Sequence, residues 1–334
     1  MPEVSVVVPN YNHAAFLRQR LDTVLAQSFQ DFELILLDDA STDESREILR
    51  EYAHDSRRSP GVDVQIDFNK ANSGSPFKQW NRGVRMARGK YVWIAESDDY
   101  AAPHLLERLV TVLAANPDMS FAYCRSWRVD EQGRVGGFAD SCLPDPDRWS
   151  ADFSMDGREM CRLYFSHVTP VRNASSVVFR KATYERVSGA DESLRLGGDW
   201  KLWAATALEG NVGYICEPLN YHRFHSGTAR SQIEATRRDA AEILRICNWI
   251  LRQITLSPAE LEHVRDLKAG IWVPALMSLR MPLSSKRDLL QEIRALDPHP
   301  CHRAIRPALK TVRMNLQRRW RDLRAKFLAA GTSA

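Results

Sequence analysis

The chain is poor in the features that would place it quickly. Its six cysteines (Cys124, Cys142, Cys161, Cys216, Cys247 and Cys301) include no CxxC pair. They suit reduced, mostly buried thiols in a cytosolic protein. No apolar run approaches the roughly 18–20 residues needed to span a bilayer. The N-terminus enters VSVVV without a basic n-region, so no signal peptide is expected. There is no internal repeat and no low-complexity tract. No GxGxxG follows the first apolar run, which argues against a dinucleotide-type Rossmann site. Net charge is also small, +4 over 334 residues. Most of it sits at one end: residues 301–334 carry nine Lys and Arg against a single acid, Asp322. The body is therefore mildly acidic and the tail strongly basic. Such asymmetry points to a local anionic partner and not to nucleic-acid binding.

What is present is an alternation of strand-like and helix-like segments. VSVVV (4–8) and FELILL (32–37) are apolar runs of the kind buried on both faces of a parallel sheet. The segment between them has Phe16, Leu17, Leu21, Val24 and Leu25 at helical spacing. Residues 44–53 predict a second helix, 62–68 a third strand and 77–88 a third helix. YVWIA (91–95) predicts a buried strand, and Pro103 opens a helix with Leu105, Leu106, Leu109, Val110 and Leu113 on one face. Strands are expected at 119–129, 173–180 and 211–216, with helices after Lys181 and from Gly197-Gly198-Asp199. Residues 134–155, rich in Gly, Pro and Asp, are expected to form a long loop. Beyond about 230 the chain reads as helical, with breaks near Pro258, Pro274, Pro282 and Pro298–Pro307. The order is that of an α/β fold with a mostly parallel sheet.

The chain is organised around Gly89–Pro103. A short buried strand ends there in Glu96, Ser97, Asp98 and Asp99. In open α/β sheets ligands sit at the carboxyl ends of strands. Carboxylates at that position either hold a hard divalent cation, which in turn holds a diphosphate, or simply cap the following helix.

Taken in order, VSVVVPNYN, FELILLDDASTD, NSGSPFKQWNRGV, GKYVWIAESDDY, GGDWKLW and YHRFHSGT resemble the family 2 glycosyltransferases over about 1–228. The resemblance implies a GT-A fold, Rossmann-like with a mostly parallel central sheet flanked by helices, and leaves 229–334 as a helical C-terminal extension. It implies an inverting transfer from a nucleoside diphosphate sugar. By that resemblance Pro9 and Tyr11 pack around the nucleobase and Asp39 accepts a hydrogen bond from it, while Asp38 is a cap. Asn72, Lys78 and Gln79 lie against the nucleotide, with Lys78 as a point charge for phosphate. Glu96-Ser97-Asp98 takes the place of the DxD signature. Glu96 and Ser97 then face the nucleotide sugar and Asp98 coordinates Mg²⁺ or Mn²⁺. Glu in place of the first Asp is a departure that lengthens its reach by one methylene. Asp99 supports the turn. His225, with His222 as its competitor, supplies a second metal ligand, and Arg223 is placed for the diphosphate. Asp199, at a helix start where the helix dipole favours a carboxylate, is the expected general base.

The implied partners are the sugar-nucleotide donor and a saccharide or lipid-linked acceptor, in cell-surface polysaccharide or lipopolysaccharide synthesis; an oligomer is compatible with the sequence. Two other readings share the fold: a sugar-nucleotide pyrophosphorylase, and a non-catalytic nucleotide-sugar-binding protein. Leu309, Val312, Leu316, Trp320, Leu323 and Phe327 form an apolar stripe flanked by Arg313, Arg318, Arg319, Arg321 and Arg324. This basic amphipathic helix suits either an anionic membrane at the cytoplasmic face or docking on protein.

Overall fold

Two β-branched, aliphatic runs lie at the heart of the fold. β1 (Val4–Asn10) and β2 (Phe32–Asp38) are buried along their whole length. The computed structural model describes residues 1–54, 61–141, 143–225, 239–305 and 307–309. It divides into two compact units, Met1–Thr228 and Ala229–Ala334.

The first unit is built on a ten-stranded sheet. The further strands are β3 (Asp63–Phe68), β4 (Tyr91–Ile94), β5 (Tyr100–Ala101), β6 (Met119–Val129), β7 (Val135–Phe138), β8 (Phe153–Met155), β9 (Val177–Arg180) and β10 (Asn211–Arg223). The spatial order is β3-β2-β1-β4-β9-β6-β10-β5, with β7 beside β6 and β8 beside β10. Pairing is parallel from β3 to β4 and again between β6 and β10, which accounts for most paired positions. β9 runs antiparallel between β4 and β6. This is a GT-A fold. Helix α1 (Ala14–Leu25) buries Leu17, Leu21 and Val24 on the sheet, α2 (Ser45–His54) buries Ile48, Leu49 and Tyr52, and α4 (Leu105–Ala115) buries Leu106, Leu109 and Leu113. Helix α3 (Pro76–Met86) comes close to β1 because Gly83 has no side chain: a Cβ there would stand 2.3 Å from Val7 Cγ1.

The structure differs from the sequence expectations in four places. Residues 134–155 are not one loop, since they contain β7 and β8. Both are short edge ribbons without the apolar run that announces a core strand, and β7 is largely exposed. β10 continues well beyond residue 216, with register shifts on either side of Pro218. Proline lacks the N–H a ladder needs, and the strand accommodates it by that irregularity. Residues 174–176 form a 3₁₀ turn, so β9 starts only at Val177, between the short helices α5 (Gly157–Met160) and α6 (Lys181–Arg186) in the chain. Pro274 lies inside a helix, Pro258–Leu276, and does not break it; the helix ends two residues later, so little of the ladder depends on the missing N–H.

The second unit contains the helices Asp239–Leu251, Pro258–Leu276 and Leu283–Leu296. Their shared core includes Leu244, Cys247, Val264, Trp272, Leu289 and Ile293. Ser257 and Glu260 form a reciprocal capping box at the start of the second helix. Of the tail stripe, Leu309 is exposed; Val312 to Phe327 and the flanking arginines lie outside the described residues, as do Ser226–Thr228 and Cys142.

Candidate active site

The acidic strand end is held by a frame of buried donors. Asp99 is buried and accepts from Asn173 Nδ2 (2.8 Å), Ser175 Oγ (2.7 Å) and the backbone N–H of Arg223 (2.9 Å). Arg20 of α1 lies fully buried beneath it. Its Nε donates to the Glu96 carbonyl at 2.8 Å and its Nη2 is 3.9 Å from Asp99. Burial lowers the Arg20 pKa to about 10, against the raising charges of Asp99, Asp98 and Glu96, so it remains cationic at neutral pH. Arg223 is committed in the same way. Its guanidinium donates to the carbonyls of Asp98, Asp130 and Glu131 and to Gln19 Oε1. The turn expected of Asp99 is thus built, and Arg223 acts as a staple on that turn.

Within this frame the three residues of the strand end face different partners. Glu96 accepts from Trp80 Nε1 at 2.6 Å, and its backbone N–H donates to Ser175 Oγ. Burial, with the adjacent charges of Asp98 and Asp99, pushes its carboxyl up to about 8. Ser97 is buried, with its Oγ 2.8 Å from His13 Nδ1. Asp98 lies 3.1 Å from His225 Nε2, across 127 residues of sequence. Burial opposes ionisation of Asp98. The His225 hydrogen bond and the charges of His13, His225 and His222 outweigh it and hold the carboxyl at about 2. His225 is raised in turn by that hydrogen bond, against its own burial. A carboxylate and an imidazole this close, one at the end of β4 and one just past β10, are a donor set that fits a divalent cation.

The nucleotide-side candidates cluster at the ends of β1 and β2. Pro9 is buried within β1, and Tyr11 stands 44 % exposed in the turn beyond it. Asp39 is buried, and its carboxylate receives Asn69 Nδ2 (2.5 Å), the Ser73 N–H (2.9 Å) and hydroxyl (2.7 Å), and Gln79 Nε2 (2.9 Å). It therefore gathers the 69–75 loop and the start of α3 onto the end of β2. Among the described residues Asn10 Oδ1, Ser75 Oγ and Gln79 Oε1 are buried without a partner in this same neighbourhood. Unpaired buried acceptors and hydroxyls are costly, and a polar ligand with donor groups would relieve them. Asp38 caps the turn through the Ser41 N–H and pairs with Arg46 at 2.7 Å. Asn72 is exposed and accepts from the Gly74 N–H at 2.6 Å. Lys78 is exposed, and its ammonium donates to the Ser73 carbonyl at 3.3 Å.

Asp199 sits in the first turn of α7 (Gly198–Ala207), half-buried, and accepts from the Trp200 N–H at 2.8 Å. Gly198 lets that helix start approach the site: a Cβ would lie 2.4 Å from the Phe77 ring. Phe77 packs edge-on against Trp80, with centroids 5.2 Å apart, and Trp80 donates to Glu96. A continuous chain of contacts thus joins the start of α7 to the acidic strand end. Sequence reasoning missed His13, Arg20, Trp80, Asn173 and Ser175. Arg20 alone carried a plain signal, a charged residue among Leu17, Leu21 and Val24.

Comparison with known proteins gives the class to which this fold belongs. Residues 5–186 match the model described as glycosyl transferase family 2, and the chain belongs to that family. It is a glycosyltransferase. An uncharacterized glycosyltransferase of Nostoc sp. is 26 % identical over 263 residues, covering 72 % of this chain and 73 % of the relative. The O-antigen biosynthesis protein RfbC of Myxococcus xanthus is 27 % identical over 305 residues, covering 87 % of this chain but 22 % of its own length. Among solved structures, S. aureus TarS in complex with UDP-GlcNAc superposes with a TM-score of 0.65 at 18 % identity, covering 88 % of this chain and 82 % of that one. A mannosyltransferase of Pyrobaculum calidifontis in complex with GDP-Man and Mn²⁺ gives 0.56 at 18 %, covering 93 % and 87 %. No helix among the described residues is long and apolar enough to cross a membrane.

Proposed function

We propose that this chain is a metal-dependent, inverting glycosyltransferase that moves a sugar from a nucleoside diphosphate sugar to an acceptor hydroxyl in cell-surface polysaccharide synthesis. The observation that carries the reading is the meeting of Asp98 and His225 at the carboxyl end of β4. Structural neighbours in complex with UDP-GlcNAc, or with GDP-Man and Mn²⁺, and a relative named for O-antigen biosynthesis, support it. Asp98 and His225 would hold Mg²⁺ or Mn²⁺, which when bound neutralises the diphosphate leaving group. Pro9, Tyr11, Asp39 and Asn72 would receive the nucleoside, with Lys78, Glu96 and Ser97 on the phosphate and sugar side. Asp199 takes the acceptor proton as the acceptor oxygen bonds to C1 and the C1–diphosphate oxygen bond breaks on the opposite face. One carboxylate suffices because an inverting displacement needs a single base.

A thermal-shift screen of the full chain with nucleoside diphosphates and their sugars tests this. A ligand that binds only the folded state raises Tm. One base should stabilise the protein, and more so with Mn²⁺. Absence of any shift, together with no turnover of any donor, would overturn it.

The reading extends to location. With its apolar stripe and flanking arginines, the tail would hold the enzyme peripherally at an anionic cytoplasmic membrane face, where a lipid-linked acceptor is presented.

A further inference from the structure

The imidazole of His13 lies in the same cluster as Asp98 and His225. One ligating atom from each of the three residues falls within a 4.8 Å set. His13 comes from the turn before α1, Asp98 from the end of β4 and His225 from beyond β10. The His13 and His225 rings stand edge-on with centroids 5.4 Å apart, and both reach toward Asp98. Ser97 Oγ, at 2.8 Å, engages His13 Nδ1. A metal-binding histidine commonly has its second nitrogen fixed by such a contact, which sets the tautomer and the ring orientation. Here that leaves Nε2 for a metal. The position of Ser97 next to Asp98 in sequence therefore couples the ring directly to the acidic turn.

We infer that His13 is a third protein ligand, making a centre of two imidazoles and one carboxylate that selects transition-metal dications over Mg²⁺. The inference rests on the metal-dependent reading above and adds to it a ligand and a selectivity. A hard cation such as Mg²⁺ prefers oxygen donors and is held with few protein ligands and its substrate's phosphates. Two imidazoles favour Mn²⁺, Co²⁺ and Zn²⁺, with affinity rising along that direction of the first row. Three protein ligands also allow the metal to bind before any nucleotide is present. The remaining coordination positions stay open for diphosphate oxygens.

The test uses the metal alone. Chelator-stripped full-length protein is titrated with Co²⁺, whose visible absorption reports ligation, and then with Mn²⁺ and Mg²⁺ in competition. Co²⁺ should bind without nucleotide, and a large excess of Mg²⁺ should fail to displace it. His13→Gln and His13→Ala should each weaken Co²⁺ at least tenfold, with an unchanged circular dichroism spectrum. Asp98→Asn separates the two ideas. If it abolishes metal binding while both His13 variants bind as the wild type does, the third ligand is refuted and the metal-dependent reading survives. If Asp98→Asn binds metal normally, both are refuted. Should the His13 variants fail to fold, electron paramagnetic resonance of Cu²⁺ in the unmutated protein decides. Coupling to two imidazole nitrogens supports the assignment, and coupling to one overturns it.

Discussion

At the scale of single residues the site is a balance between buried carboxylates and the cations beneath them. Arg20 is the clearest case, fully buried under Asp99 and the Glu96 carbonyl. Replacing it by Met keeps the volume but leaves carboxylates uncompensated. Breaking a buried pair in this way costs about 3–5 kcal/mol, so Arg20→Met should unfold at markedly lower denaturant with little change in the slope. An unaltered midpoint would show that the carboxylates had found another counter-charge. Asp199→Asn preserves shape and removes only the proposed proton acceptor. It should lower kcat by about 10²–10⁴ with donor affinity nearly intact, as measured by transfer kinetics alongside donor titration. Equal loss of both would assign Asp199 to the donor pocket instead. Asp98, the frame residue Asp99 and the Glu96 departure could all be found in the sequence because they sit together at the end of an apolar run. Their partners could not, since His13, Arg20, Asn173 and Ser175 are brought to them only by the crossing of α1 and the turn before β9. Asn72 was legible as a polar loop residue and Lys78 as a lysine of the helix that follows, and the structure finds both exposed, each bonded to the 72–74 loop.

At the scale of elements, what matters is how closely α7 can approach the strand end. The alternation of apolar strands and amphipathic helices made this layer order readable, and most elements lie within a few residues of where periodicity put them. Edge ribbons such as β7 were not readable because nothing in an exposed VGGF sequence encodes its pairing with β6. Gly198 shows how much a single missing methyl sets. With Ala there, the Phe77 ring must move, and Trp80 and Glu96 with it. Overpacking of this kind costs about 1–3 kcal/mol. Gly198→Ala should therefore lower Tm and reduce turnover together, whereas Gly61→Ser, in open surroundings but with φ +74°, should affect Tm alone. Thermal denaturation and transfer assays on both variants check this.

At the scale of the whole molecule, the second unit adds a titration of its own. Lys268 is buried in the helix Pro258–Leu276, and burial lowers its pKa to about 8 from 10.5, against a small raising influence of Cys247. The unfolded chain then holds this proton more strongly than the folded one between those two values. Its contribution to stability should rise with pH across that window, with the burial penalty fully present below about 8. Lys268→Met should flatten that rise in urea titrations taken at successive pH values; an unchanged slope would mean the ammonium is not the group responsible. The tail belongs to this scale too. Full-length protein should co-sediment with anionic liposomes and a chain ending at Asp297 should not, each Lys or Arg near such a surface contributing about 1 kcal/mol. Equal sedimentation of the two would leave docking on protein as the role of the stripe.

The separation of Asp98 from His225 has a consequence in time. The first strands and α1 are made early, yet the residue that closes on Asp98 follows it by 127 positions. At roughly 5–20 residues per second of synthesis, the nascent chain carries an unfinished acidic turn for on the order of ten seconds. During that interval Arg20 is the cation already made that can compensate the turn, while the Arg223 staple and the His225 imidazole arrive almost together. The cluster is thus completed in one late step, and a chain interrupted before β10 would lack His225 and with it the imidazole that closes on Asp98.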